Sequence, residues 1–256
     1  MAKTHKILLA GESWVSAATH YKGFDQFGSV TFHLGAEPLV SALAGSNVTL
    51  RYMPSHEAQE HFPQSLDALA AYDAVILSDI GANTLLLHPD TWLHGKPTPN
   101  RLRLLKDYVE AGGGLMMVGG YLSFQGINGS ARYHRTAVEE VLPVEMLPVD
   151  DRIEVPEGFT PVLKQKSHPI LTGLGGRWPQ LLGFNEVRAK PGATLLATVS
   201  KEYGEMPLLV AGSSGKGRTL AWTSDIGPHW LPATFVAWKG YATFWKQALG
   251  WLAGDL

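Results

Sequence analysis

The sequence predicts an α/β fold: a three-layer, doubly wound, mostly parallel sheet with an antiparallel extension in its second half. Two observations carry this. In the first half, short and nearly continuous apolar runs ending in Gly, Ser or Asp each give way to a segment of helical spacing. Strands buried on both faces need such unbroken runs, and strands alternating with helices join through right-handed crossovers into parallel sheets. In the second half, short strands follow one another through tight turns, as antiparallel neighbours do.

The first apolar run is Lys6-Ile7-Leu8-Leu9-Ala10-Gly11 and the second is Val48-Thr49-Leu50-Arg51-Tyr52. The third is Ala74-Val75-Ile76-Leu77-Ser78-Asp79, and the fourth is Leu115-Met116-Met117-Val118-Gly119-Gly120. Between them, Glu37 to Ala44, Ser65 to Ala71 and Asn100 to Glu110 read as helices. The last of these stops at Gly112-Gly113-Gly114, where a residue free to take positive φ is wanted. Glu154 to Val162, Leu181 to Arg188, Thr194 to Val199 and Pro207 to Gly212 read as the strands of the antiparallel extension. Turns at Glu202-Tyr203-Gly204-Glu205 and Ser213-Ser214-Gly215-Lys216-Gly217 separate the later ones. Arg218 to Asp225 returns as a core strand. The final helix carries Trp238, Tyr241, Trp245, Leu249 and Leu252 on one stripe, a core-packing pattern. No Pro- or Ser-rich linker interrupts the chain, and the best candidate boundary, Asp150-Asp151, lacks that composition. Residues 1–256 are therefore expected to form one domain.

Composition narrows the function classes. A net charge of −2 gives no field for a polyanion, which argues against nucleic acid as a partner. The run Ile7 to Ala10 is too short for a signal peptide core or a membrane span, so a cytoplasmic protein without a membrane partner is expected. There is no cysteine, which removes disulfides, thiol nucleophiles and thiolate metal sites. The eight Trp suggest an aromatic-lined cleft or a homo-oligomer interface, or else a Trp-rich core.

In an open α/β sheet, ligands bind beyond the carboxyl ends of the strands. That rule gathers five loops: Gly11 to Trp14, Tyr52 to His56, Ser78 to Asn83, Gly119 to Phe124 and Ser224 to Trp230. They bring Glu12, Asp79, Asp225 and His229 together with Trp14, Asn83, Gly120, Tyr121, Ser123 and Trp230. Asp79 and Asp225 equally suit helix capping or loop amides. His56-Glu57-Ala58-Gln59-Glu60-His61 has one residue too many for a zinc helix motif, because five helical residues turn the second His roughly 140° from the first. Gly120 to Gly126 is too long for a G-x-S-x-G elbow, and Gly212 to Arg218 lacks the P-loop spacing. No metal set and no cofactor motif is read. Whether His56, His134 or His168 joins the site is left open, with His168 before Pro169 suiting a structural turn.

Several strings resemble a class I glutamine amidotransferase-like family of uncharacterised cytoplasmic proteins. They are Gly112 to Gly120 followed by Ser123-Phe124, Val141-Leu142-Pro143-Val144, and Ser167-His168-Pro169-Ile170 with Gly173-Leu174. Further on come Gly217-Arg218 with Thr223-Ser224-Asp225, Gly227-Pro228-His229-Trp230, and Trp238 with Tyr241-Ala242 and Phe244-Trp245. The likeness runs from Lys6 to Gly254 and implies the flavodoxin/amidotransferase-like variant of the fold. It also implies a sharp strand-to-helix turn where the superfamily's enzymes hold a cysteine, and Tyr121 falls at about that position. The His and Glu of their triad correspond to the stretch Ser224-Asp225-Ile226, so none of the triad carries over. A phenol with an ordinary pKa near 10 is a poor acyl acceptor, which argues strongly against glutaminase chemistry by that route and leaves open whether the chain is an enzyme.

Three expectations follow. The first is a small-molecule site for a polar metabolite or sugar, walled by Trp14, Tyr121, His229 and Trp230, with elbow amides open to an anion or a polarised carbonyl. The second is a hydrolase or lyase using Asp225 or Asp79 with His229, with or without a metal. The third is an assembly role for a Trp-rich surface.

Overall fold

The computed structural model describes residues 3–255. Strand β1 (His5–Gly11) runs into a hairpin of β2 (Ser13–Lys22) and β3 (Asp25–Leu34), after which α1 (Glu37–Leu43) leads to β4 (Val48–Met53). Helices α2 (Ser55–His61) and α3 (Leu66–Leu69) precede β5 (Ala74–Ser78). Helices α4 (Ala82–Leu86), α5 (Pro89–His94) and α6 (Arg101–Ala111) precede β6 (Gly114–Val118). After α7 (Ala137–Val141) come β7 (Val144–Met146), β8 (Arg152–Phe159), β9 (Val162–Leu163), β10 (Leu181–Asn185) and β11 (Val187–Ala189). The chain closes with β12 (Thr194–Thr198), β13 (Pro207–Ser214), β14 (Gly217–Trp222), α8 (Ala233–Val236) and α9 (Gly240–Leu252).

The central sheet has the order β4-β1-β5-β6-β14-β13-β12-β9. Its first five strands are parallel and the rest antiparallel, as the two halves of the sequence predict. Alternate side chains of each parallel strand serve opposite layers. Ile7 and Leu9 pack with Leu39 of α1 and with Trp245 and Leu249 of α9. Leu8 and Ala10 pack with Ala58 of α2, Leu85 of α4 and Leu105 of α6. Each large apolar side chain so buried contributes about 1.5–3 kcal/mol, so the two layers hold the strand ends as a rigid platform.

The second layer also has a polar tie. Arg101, at the start of α6 and 1% exposed, donates to the carbonyls of Leu85, Ala58, Gln59 and Thr84, and so laces α6 to α2 and α4. Half of the eight tryptophans are core: Trp178, Trp222, Trp230 and Trp245 are almost fully buried, and Trp238 and Trp251 pack partly against them. The expected Trp-rich surface is therefore largely absent.

Three local expectations are corrected. The loop expected at Gly11 to Trp14 ends at Glu12, and residues 13–34 form a long hairpin whose charges are Lys22 and Asp25 alone. The segments Glu154 to Val162 and Leu181 to Arg188 do not extend the main sheet as a whole. Their strands β8 with β10, and β11 with β7, form separate two-stranded ribbons, and only β9 joins the sheet edge. Finally, no α-helix starts after Gly119-Gly120, because the chain turns irregularly to a single 3-10 turn at Ile127–Gly129.

Candidate functional site

The strand order reverses between β1 and β5, because the chain leaves β1 for the outer strand β4 and then returns past it. Ligand crevices form beyond the carboxyl ends of the strands at such a point. Here β1 ends in Gly11-Glu12, β5 in Ser78-Asp79, β6 in Gly119-Gly120-Tyr121 and β14 in Thr223-Ser224-Asp225. A cavity of about 450 Å³ opens over them. Glu12, Asp79 and Asp225 line it together with Trp14, Tyr121 and His229, while Leu122, Ile127 and Pro228 complete the wall.

Each acid is held by its own strand end. Gly11 has a φ of +112°, and a Cβ there would lie 1.9 Å from the Ser78 carbonyl oxygen, so the chain can turn only at glycine. Glu12 follows with a φ of +50° and Asp79 with +44°, both in the left-handed region that non-glycine residues seldom occupy. Such strain persists where surrounding bonds over-determine it. The Glu12 N–H donates to the Ser78 carbonyl (2.7 Å), and its own carbonyl accepts from the Gly35 N–H (2.8 Å) and the Tyr52 hydroxyl (2.7 Å). The Asp79 N–H donates to the Ser123 hydroxyl oxygen at 3.1 Å.

The electrostatics are set by burial. Burial, then the charges of Asp225 and Asp79, hold the Glu12 carboxyl well above the usual range, although the Ser78 hydroxyl donates to its Oε2 at 2.5 Å. Asp225 is pushed up to about 7 by burial and by Asp79, against amides of Ile226, Gly227 and Trp230 that favour its charge. Asp79 is raised as well, again by burial. His229 is held below its ordinary value, chiefly by desolvation, and its Nδ1 lies 3.9 Å from Asp225 Oδ2. Near neutral pH Glu12 and Asp225 therefore favour their protonated forms, beside an Asp79 whose charge the Leu122 and Tyr121 amides support, and the cluster carries little positive charge.

The wall is aromatic. The Tyr121 ring meets His229 edge-on at 4.5 Å and Trp230 at 5.9 Å, with the Arg152 guanidinium 4.9 Å from its centre. Trp14 stacks on His33 at 4.9 Å across the hairpin root. Among the described residues, no group of three or more carboxylate or imidazole side chains is arranged as a metal set.

The structure thus brings together Glu12, Trp14, Asp79, Tyr121, Asp225 and His229 of the sequence-predicted residues. The other four stand elsewhere. Asn83 is exposed on α4, outside the cavity. Ser123 is buried beneath Asp79. Trp230 is buried behind Tyr121, with its indole N–H donating to Glu154 at 2.9 Å. Gly120 lies under the Asp79 carboxyl: at a φ of +148°, a Cβ there would come 2.9 Å from Asp79 Oδ1.

The amides of the turn are not open, contrary to expectation. Gly120 N–H donates to Asn185 Oδ1 (3.0 Å), Leu122 N–H donates to Asp79 Oδ1 (2.6 Å), and Tyr121 N–H also serves the Asp79 carboxyl. The chain supplies its own anion where an oxyanion was to bind.

The three open histidines fall outside. His56 meets Phe32 edge-on, His134 lies 3.5 Å from Glu139 in a separate groove, and His168 accepts from the Ile170 N–H at 3.3 Å as a turn cap.

Sequence reasoning missed the support beneath the turn. Asp151, 1% exposed, accepts from the N–H groups of Gln125 (2.8 Å) and Gly126 (2.9 Å) and from Asn185 Nδ2 (2.8 Å), and burial pushes it up to about 6. Asn185 also donates to the Gly120 carbonyl at 3.2 Å, so one buried acid and one amide fix the turn. Nothing in the local pattern separates Asp151 from Asp150, which is exposed to solvent and paired with Arg152.

Comparison with known proteins agrees with this architecture. The chain matches a solved structure described as a cytoplasmic protein, STM1381, from Salmonella typhimurium LT2, at 45% identity and a TM-score of 0.91, covering 96% of this chain and 99% of that one. A second, the cytoplasmic protein STM3548 from Salmonella typhimurium, matches at 41% identity and a TM-score of 0.91, covering 96% and 98%. A ThuA-like protein from Parabacteroides merdae ATCC 43184, at 13% identity, a TM-score of 0.57 and coverage of 99% and 91%, shares the fold alone. No curated protein matches. The family described as "Putative glutamine amidotransferase" matches over residues 6–254, and although it carries no cysteine, the chain belongs to that family.

Proposed function

We propose that this chain binds a small, polar, uncharged metabolite of saccharide type at the strand ends, in the cytoplasm. One observation carries the reading: three carboxyl groups, from Glu12, Asp79 and Asp225, converge in a cavity walled by Trp14, Tyr121 and His229. Carboxyls with raised pKa both donate and accept hydrogen bonds, which suits hydroxyl groups, while aromatic faces suit the C–H face of a sugar ring. No Lys or Arg lines the cavity, so a phosphate or carboxylate ligand would find no cationic partner there. The volume lies within the range of about 300–1,000 Å³ typical of ligand clefts. Both Salmonella relatives are described as cytoplasmic, which supports the compartment.

The test is a thermal-shift screen of monosaccharides, disaccharides and polyols against the wild type and Asp79→Asn. A stabilising sugar whose effect disappears in the variant supports the reading, since a ligand bound only by the folded state raises its stability. A full panel without any shift overturns it.

A second reading rests on Asp225 and His229, whose facing atoms lie 3.9 Å apart with Asp225 poised near neutrality. Such a pair suits general acid–base chemistry in a hydrolase or lyase. Turnover of a bound sugar, lost in Asp225→Asn with binding kept, distinguishes this from binding alone.

A further inference from the structure

We propose that the β2–β3 hairpin is a self-association arm, and that its apolar face packs against the same face of a second copy of this chain. The register sorts its side chains. One face carries the pairs Trp14–His33, Ser16–Thr31, Ala18–Ser29, His20–Phe27 and Lys22–Asp25. This face is satisfied within the arm. Trp14 stacks on His33 and His20 on Phe27, His20 shares a hydrogen bond with Ser29, and Lys22 lies over the Phe27 ring. The opposite face carries Ser13–Leu34, Val15–Phe32, Ala17–Val30, Thr19–Gly28 and Tyr21–Gln26, without one charge.

That second face is open to water: Tyr21 is 74% exposed, Val30 73%, Val15 59% and Leu34 54%, and Phe24 at the tip is fully exposed. The arm meets the rest of the chain at its root, where Phe32 touches His56 and Ser13 bonds to Ser55. A two-stranded ribbon alone is marginal in water, because one face has nothing to bury against. Ten-residue strands reach about 33 Å, so most of this ribbon stands clear of the body.

A second copy fits best for three reasons. Val15, Tyr21, Val30, Leu34 and the half-exposed Phe32, with Phe24 at the tip, offer on the order of 700 Å², close to the ~800 Å² per partner of a standard interface. The absence of charge on that face gives no selection for a charged partner. Identical apolar ribbons related by a two-fold axis also close on themselves, as a four-stranded sandwich with its layers about 10 Å apart. The surface lies apart from the carboxyl cluster, so it stands or falls independently of the ligand.

The experiment is sedimentation velocity on the full chain, from low to high micromolar concentration. The wild type should sediment as a dimer or larger. Val15→Asp combined with Val30→Asp should give the monomer with an unchanged circular dichroism spectrum, while Ala18→Asp, on the polar face, should keep the assembly. A wild type monomeric throughout, or a double variant of wild-type mass, overturns the proposal. Because the chain has no cysteine, cross-linking decides the matter even if the double variant fails to fold. Oxidised Val15→Cys, Ala17→Cys or Val30→Cys should yield a covalent dimer and Ala18→Cys should not. No covalent dimer at any apolar-face position overturns the proposal.

Discussion

Asp225→Asn should flatten the pH dependence of stability. The carboxyl is 6% exposed, and burial with Asp79 beside it lifts it from 3.8 to about 7 in the folded chain. Between those two values the folded state holds a proton that the unfolded state has released. The stabilisation is complete below the unfolded pKa and disappears as the pH rises through the folded one. Between about pH 5 and pH 8 the loss is roughly 2.5 kcal/mol, or about 5–10 °C in Tm for a chain of this size. Asparagine cannot ionise, so this part of the profile vanishes in the variant. Its amide also faces the Gly227 and Trp230 N–H groups that the carboxylate accepted, a pH-independent cost of about 1–3 kcal/mol. The prediction therefore concerns the slope and not the height of the curve. His229, whose lowered pKa works in the opposite sense, remains in both proteins, but at 3.9 Å from Asp225 it is coupled to the substitution, so the comparison rests on the sign of the slope. The assay is urea denaturation of both proteins across that pH range. Parallel profiles would refute the reasoning, because the proton would then reside elsewhere.

Four further outcomes are expected. Asp151→Ala strands the N–H groups of Gln125 and Gly126 and the amide of Asn185, and should cost about 3–5 kcal/mol in urea denaturation. Gly120→Ala must displace the Asp79 carboxyl and hold a left-handed φ, costing about 1–3 kcal/mol and removing any ligand-induced rise in Tm. Arg101→Met leaves the carbonyls of Leu85, Ala58, Gln59 and Thr84 without their donor; a fall of about 3 kcal/mol should show as a lower urea midpoint. Trp14→Ala, at an exposed position, should change stability by no more than about 0.5 kcal/mol while weakening saccharide binding measured by calorimetry about tenfold.

The parallel half of the fold is legible because its signal is local. Runs such as Ile7 to Ala10 and Val75 to Leu77 are buried on both sides, and nothing but a central strand tolerates that pattern. Six of the site residues follow directly, since the strand ends of a parallel sheet must lie side by side. Asn83 misleads because the residue after a strand-end loop can point either into the crevice or away, and helix α4 carries it outward. Ser123 and Trp230 are near the cavity but face its support, a distinction made by contacts across 44 and 76 residues of sequence and invisible to spacing. The arm escaped notice for a different reason. Its second strand alternates Val30, Phe32 and Leu34 with Ser29, Thr31 and His33 and is a sound strand pattern, but a ribbon that leaves the core has no partner in the chain to reveal it. Asp151 is hidden too, because a buried acid and an exposed one look the same when written side by side.

The bonds from the Tyr121 and Leu122 amides to Asp79 also bear on what a substitution at the turn could achieve. Replacing the phenol at 121 by a thiol would restore a nucleophile to a turn whose donors are already taken by a fixed carboxylate. The tetrahedral oxygen of an acyl transfer would have nowhere to rest, and it would form beside a negative neighbour. Amide hydrolysis of that kind thus needs position 79 to give up its acid as well as a base and its orienting acid at Ser224-Asp225-Ile226, where neither stands. A path of single substitutions towards that chemistry therefore has no improving first step.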